Sequence, residues 1–385
     1  MATEPGTRTL RVRKHVSRER LLGDAPRWRR FGEPVPAGGA MRSDCTPDYG
    51  VFGPGSIAWE VLLHPAVICF QTAAQTNLQF TYKPIFAGIR DWDPISRKGR
   101  SGELTLFDVF DRAQRNSGIH TPMWLGTSET ARRVAKHLHN IHAKVKGESI
   151  DAGEPELGGY DANGPRDSMW AALTELHSML WVYEKLGFRE DGSPPRRLEP
   201  AERDQFIAET AEYCRLFASP EEEIPTSMAE LQALYANYHH LFRRSQTMNT
   251  IPVSRQNIYG VGLRSAARNF HISQLRTLGP IAKVNSLPFL PSVYYFPTWG
   301  AMSGKTRKNH GFGPVRNALA VASLRVLRPI IKRAQRPESE AKMMRLLWGP
   351  DAVMLIESAR KLHREAKEGR LEVPVGSVGL GDPRP

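Results

Sequence analysis

TSETARRVAKHLHNIHAKVKG, Thr127 to Gly147, is the most fully specified helix in the chain and carries an ionisable group on its apolar face. Thr127 or Ser128 can cap the first-turn amides, Glu129 suits the positive helix end, and Gly147 can take the left-handed conformation that closes a helix. Ala131, Val134, Ala135, Leu138, Ile141 and Val145 recur at three- and four-residue intervals, so at about 100° per residue they form one stripe centred near Leu138. His142 falls about 40° from Leu138, inside that stripe, whereas His137 and His139 fall roughly 100° to either side. Two roles are open to an inward imidazole. It can be a core histidine bonded to a carbonyl or water, or it can be an axial ligand, neutral and facing an apolar cavity as a haem iron requires.

Working outward, Tyr49 opens the folded part with YGVFGPGSIAWEVLLHPAVICF, in which a Gly-Pro-Gly turn precedes apolar helices that break at His64-Pro65. LTLFDVFDRAQRNSGIHTPMWLG leads into the central helix and spaces Arg112, Arg115 and Asn116 about one turn apart. After Gly147 a loop leads to SMWAALTELHSMLWVYEKL, a helix capped by Asp167 or Ser168 and closed by Gly187, where His177 shares a face with Leu173, Leu176 and Leu180. Helices over Glu199–Phe217 and Ser227–Arg244 follow, and strand-like alternation waits until SVYYF at 292–296. The expected class is all-α, a single large orthogonal bundle.

The chain has 385 residues, 40% of them hydrophobic, with a formal net charge of +13. Three distant cysteines, Cys45, Cys69 and Cys214, give neither a disulfide framework nor a zinc motif and suit a reducing, cytoplasmic setting. No run is apolar enough for a spanning helix, and the basic N-terminus lacks the apolar run of a secretory signal. The charge points to an acidic partner, an anionic lipid surface, a nucleic acid or an acidic protein, and the basic amphipathic stretch 315–336, with its kink at Pro329, reads as a solvated packing helix or a membrane-surface contact. Aromatic residues do not interleave with the basic runs as single-strand binding requires. Three regions are expected: a basic, partly extended arm over 1–45, a helical domain over 46–300, and a basic helical extension over 301–385 whose tail after Leu371 is flexible.

Two motifs are set aside. GAMSGKT at 300–306 leaves only three residues between Gly300 and Gly304 where a phosphate cradle needs four, so it reads as a flexible basic loop. His137, His139 and His142 do not share a helix face and cannot jointly coordinate one metal.

Several pieces together resemble the catalytic domain of the MpaB-type oxygenase and latex-clearing-protein (rubber oxygenase) family. They are Leu62-Leu63-His64-Pro65-Ala66-Val67, Arg112 with Asn116, Gly126, His142-Ala143-Lys144-Val145-Lys146-Gly147, and then Tyr160, Ala162, Pro165, Trp170 and Thr174, in that order over roughly residues 50–245. The resemblance implies an all-α oxygenase enclosing a pocket for haem b, with His142 as the proximal iron ligand and O2 and an apolar, unsaturated or isoprenoid-like compound as substrates. With two parallel guanidinium donors Arg112 suits a haem propionate or the bound oxygen, or else a structural ion pair; Asn116 can donate an amide hydrogen bond to that oxygen; and His177, on the inward face of its helix, is a packing residue or a further cofactor contact. Asn116 stands where the family usually has threonine, Ala172 where it often has histidine, and Arg115 where latex-clearing members have a distal lysine. A haem-free helical scaffold or peripheral membrane adaptor is the alternative outcome for the same fold.

Overall fold

The structure is a computed structural model that describes residues 32–104, 106–189, 191–245 and 296–381. Among these residues it is all-α: fifteen α-helices and a single two-stranded pairing. The His64-Pro65 break separates α1 (Ile57–Leu62) from α2 (Pro65–Gln79). Pro65 takes the first helical position, where its missing N–H costs nothing, and the His64 Nδ1 accepts from the Ala66 amide at 3.1 Å. Burial pushes the His64 imidazole down to about 4, which keeps it an acceptor.

Next come α3 (Lys83–Trp92), α4 (Pro94–Ser101), α5 (Leu106–Leu125) and α6 (Ser128–His142). A hairpin of β1 (Lys146–Gly147) and β2 (Tyr160–Asp161) precedes α7 (Pro165–Leu186), α8 (Pro200–Cys214) and α9 (Met228–Asn237). The heart of the molecule is α2 packed along α7, with α5 lying between α6 and the C-terminal helix. Trp59, Trp124, Trp170 and Trp348 are all fully buried. Trp59 Nε1 donates to the Trp124 carbonyl at 3.0 Å and Trp348 Nε1 to the Ile68 carbonyl at 2.8 Å, so two of these large rings also lock helices together.

The central helix departs from expectation at its end. Thr127 caps it through the Thr130 amide, but α6 stops at His142 with Ala143 as C-cap, and Gly147 lies in β1. Gly147 is needed for another reason, since a Cβ there would lie 2.7 Å from the Tyr160 ring across the hairpin. The cap of α7 also differs: Gly164 is the N-cap, while the Asp167 carboxylate accepts from Tyr82 Oη at 2.7 Å and from Arg166.

The remaining helices are α10 (Phe296–Ala301), α11 (Gly304–Asn309), α12 (Pro314–Val326), α13 (Arg328–Ala334), α14 (Pro337–Leu347) and α15 (Pro350–Lys367). Of the strand expected at 292–296, residues 292–295 lie outside the described residues and Phe296 begins α10. The segment expected as an extension puts Ile331, Met344, Trp348, Leu355 and Ile356 into the main core, with α14 against α2 and α5 and α15 along α5. The tail expected to be flexible is laid against residues 42–50: Ser377 is fully buried, its carbonyl accepts from the Tyr49 amide at 2.9 Å, and the Gly379 amide donates to the Gly50 carbonyl at 2.9 Å. The described part of the N-terminal arm is fixed too, the Ala37 amide donating to the Leu125 carbonyl at 3.0 Å.

The loop expected over GAMSGKT is instead the junction of α10 and α11, capped by Ser303. The carbonyls of Trp299, Gly300 and Met302 converge there on the Arg307 guanidinium. Converging acceptors around a cation are the reverse of a phosphate cradle, which presents amide donors to an anion.

Burial depresses five imidazoles: His64, His142, His177 and His363 to about 4, and His310 to about 3. Each is therefore neutral in the folded chain where the unfolded chain, with an ordinary value near 6.5, takes up a proton. Stability should fall as pH drops from about 6.5 toward about 4, by up to ~1.4 kcal/mol per pH unit for each histidine. Chemical melts across that window should show a shallower pH dependence for His177→Gln than for the parent, and parallel slopes would contradict the assignment.

Candidate functional site

A cavity of about 910 Å³ lies between α2, α3, α5, α6 and α7. Each helix turns one face to it, and the spacing shows how. Arg112, Arg115, Asn116, Ile119 and His120 line it from α5, and Ser168, Ala171, Ala172 and Glu175 from α7, both sets at three- and four-residue intervals. From α6 come Arg132, Ala135, Leu138, His139 and His142. Tyr160, which bars a side chain at Gly147, forms part of the same wall, so the hairpin sets the cavity's shape beyond the end of α6.

His142 is half-buried at the C-terminal end of α6. Desolvation, helped by the nearby Arg112, His120 and His139, brings its imidazole down to about 4, so it is neutral at physiological pH. Among the described residues no hydrogen bond reaches either of its ring nitrogens. Ile141, placed in the apolar stripe by periodicity, is 36% exposed and lines the cavity along with the equally exposed Trp92. The stripe therefore turns from core to cavity along its length, buried at Ala131, Val134, Ala135 and Leu138 and open at Ile141 and His142.

Of the expected α5 residues, Arg112 lines the cavity while its Nε pairs with Asp93 Oδ2 at 2.7 Å, so the ion pair and the cavity position coexist. Arg115, half-exposed, pairs with Asp111 one turn earlier at 2.8 Å. Asn116 Nδ2 donates to Gln75 Oε1 at 2.9 Å. His177 is not brought into the cavity. It is buried on another face of α7, its Nδ1 3.2 Å from Tyr235 Oη and its ring against Trp181, the contacts of a packing residue. Among the described residues no group of three or more His, Cys, Asp or Glu is placed to hold a metal ion.

The sequence reading missed the polar floor. His120 Nδ1 lies 3.0 Å from Glu175 Oε2 and 3.2 Å from Tyr213 Oη, and its ring stacks on Trp124. Glu175, 2% exposed, also accepts from Tyr213 Oη at 3.1 Å and from Gln75 Nε2 at 3.3 Å. Burial, reinforced by the Glu175 charge, holds the Tyr213 phenol well above its ordinary value, so it stays a donor. A carboxylate beside Nδ1 favours the tautomer that carries its proton there and turns Nε2 to the cavity side. The signal was present: His120 lies two turns beyond Arg112 and one beyond Asn116, on the face already marked. Glu175 carried none, because a glutamate amid apolar residues of α7 looks like a helix-surface residue until its partners from α2, α5 and α8 are in place.

Ala172, where a family histidine often stands, is buried and lines the cavity, and His120 brings an imidazole to the same space from α5. No helix among the described residues is long and apolar enough to cross a membrane. No curated protein and no solved structure matches the chain. The family model for the ER-bound oxygenase mpaB/B'/rubber oxygenase catalytic domain matches residues 59–364, a span that begins at the buried Trp59 and runs through α15, and the chain therefore belongs to that oxygenase family.

Proposed function

We propose that this chain is a haem b-dependent oxygenase that uses O2 to oxidise an apolar substrate, with His142 as the protein's ligand to the iron. The observation that carries this reading is the neutral imidazole of His142, without a hydrogen-bond partner among the described residues, in the wall of a cavity of about 910 Å³, within the roughly 300–1,000 Å³ common for ligand pockets. The donor set suits the group. A neutral imidazole is what a haem iron takes on its proximal side, and Arg112, Arg132, Lys136 and Lys144 along the same wall suit propionate carboxylates. Ile85, Ile89, Ile119, Leu138 and Val145 give the cavity an apolar lining for an unsaturated or isoprenoid-like substrate. The free thiols, with Cys69 and Cys214 buried, fit a reducing cytoplasmic setting.

When bound, haem supplies the redox chemistry with O2. The chain's residues position and exclude. The Asn116 amide keeps one N–H beyond its bond to Gln75 and can offer it to oxygen in the cavity. His120, with its proton fixed on Nδ1 by Glu175, can accept or return a proton at Nε2. Arg112, held by Asp93, places a fixed positive charge on the same side.

Supplied with haemin and a reductant, the purified protein should consume O2 in step with an unsaturated apolar substrate and place isotopically labelled oxygen in the product. Oxygen uptake indifferent to haemin would overturn the reading. Asn116→Ala should speed autoxidation of the reduced protein roughly threefold to tenfold, the worth of one net hydrogen bond, and an unchanged rate would remove Asn116 from this role. Glu175→Gln removes the charge that fixes the His120 tautomer. It should shift the pH profile of kcat, whereas a loss of activity at every pH with an unshifted profile would make Glu175 purely structural.

A further inference from the structure

The chain's net charge of +13 is unevenly distributed: between Leu231 and Pro337 there is no Asp or Glu, and there are sixteen Lys or Arg. The positive excess of the whole chain resides in this stretch. Its last third is α12 and α13, where a second irregularity appears. On a helix packed against a core the apolar stripe faces inward, yet on α12 the fully buried residues are Ala320 and Ser323, with Leu324 partly buried against the core beside them. Val315, Leu319 and Val326, spaced at intervals of four and seven and so sharing one face, are 75%, 56% and 73% exposed. Val321 and, on α13, Ile330 are exposed as well. Half of the ten exposed large apolar side chains among the described residues thus stand between 315 and 330.

Arginines flank this face. Arg325, Arg328 and Arg333 are exposed beside the apolar stripe. Arg328 and Lys332 run over the Phe188 ring, which anchors α13 to the body of the protein. Apolar residues directed at solvent, rimmed by cations and with no carboxylate on the two helices themselves, have the composition of a helix that lies in a lipid interface, with aliphatic chains among the acyl groups and guanidinium groups at the phosphates. A nucleic acid would use the charge and leave the valines and leucine idle.

We propose that the outer face of α12 and α13 is a docking surface for an anionic phospholipid membrane, on which the protein sits peripherally. The proposal stands on this surface alone and does not depend on the haem reading. For an enzyme with an apolar substrate it would place the molecule where such a compound is dissolved.

The test is co-sedimentation of the full-length protein with vesicles of phosphatidylcholine alone and with about 30% phosphatidylserine. Binding should require the anionic lipid and weaken as salt rises from low to physiological levels. Leu319→Gln with Val326→Gln should lower the affinity at least tenfold, and Arg325→Glu with Arg333→Glu should do likewise. All four positions are exposed, so the thermal melt should stay at the parent's value. A parent that ignores anionic vesicles, or variants that bind as well as the parent, would overturn the proposal. So would a parent that sediments as a dimer and becomes monomeric in the Leu319→Gln, Val326→Gln variant, since the face would then be occupied by a second copy.

Discussion

An imidazole that faces a cavity, as His142 does with no hydrogen-bond partner for its ring among the described residues, is satisfied by what enters that cavity, and the placement of His142 rests on this constraint. Neutrality is imposed by burial and by the cations around it, so the ring presents a lone pair at physiological pH. Its position is fixed from the far end of α6. There the Asp48 carboxylate accepts from the Ser128 amide at 3.0 Å and from Ser128 Oγ at 2.8 Å, a negative charge at a helix N-terminus. The Gly50 backbone passes so close to Gly126 that a Cβ on Gly50 would lie 2.0 Å from the Gly126 carbonyl oxygen, and its φ of +75° also calls for glycine. The helix that carries His142 is thus clamped at its start, and at its end Asn163 Nδ2 donates to the His139 carbonyl at 2.9 Å.

The second determinant is the buried carboxylate of Glu175. A charge hidden from water is tolerated only when its lone pairs are met, and here donors converge from three other helices: Gln75 on α2, His120 on α5 and Tyr213 on α8. Asn116 joins through Gln75, whose Oε1 also accepts from Gln71 Nε2 at 2.5 Å. One charged atom pair therefore orients the amide of Gln75, the tautomer of His120 and the side chain of Asn116 together. Changing any of them moves the polar floor as a unit, which is how a set of weak bonds becomes a positioned one.

What the sequence carried and what it hid divide along physical lines. Period located α6 and α7, Thr127 and Gly187 cap them as read, and the His64-Pro65 break appeared as a helix N-cap, because these are local effects. The end of α6 was misplaced because Gly147 serves a contact with Tyr160 across the hairpin, which no local rule encodes. His177 and His142 look alike on a helical wheel. They differ only in what packs against each face, Tyr235 and Trp181 in one case and a cavity in the other. The C-terminal helices read as a basic extension because their charges are visible in sequence, whereas the burial of Trp348 depends on its fit against α2. Gly300 and Gly304 suggested a loop until Arg307 drew the intervening carbonyls around itself.

The central claim, that His142 in this cavity is the protein's ligand to haem, is most directly tested by titrating the purified protein with haemin and recording the oxidised and reduced absorption spectra beside those of His142→Ala. The account predicts a stoichiometric Soret band in the parent and a lost or shifted band in the variant, at equal helix content by circular dichroism. A parent that binds no haemin, or a variant whose spectra match the parent's, would contradict it.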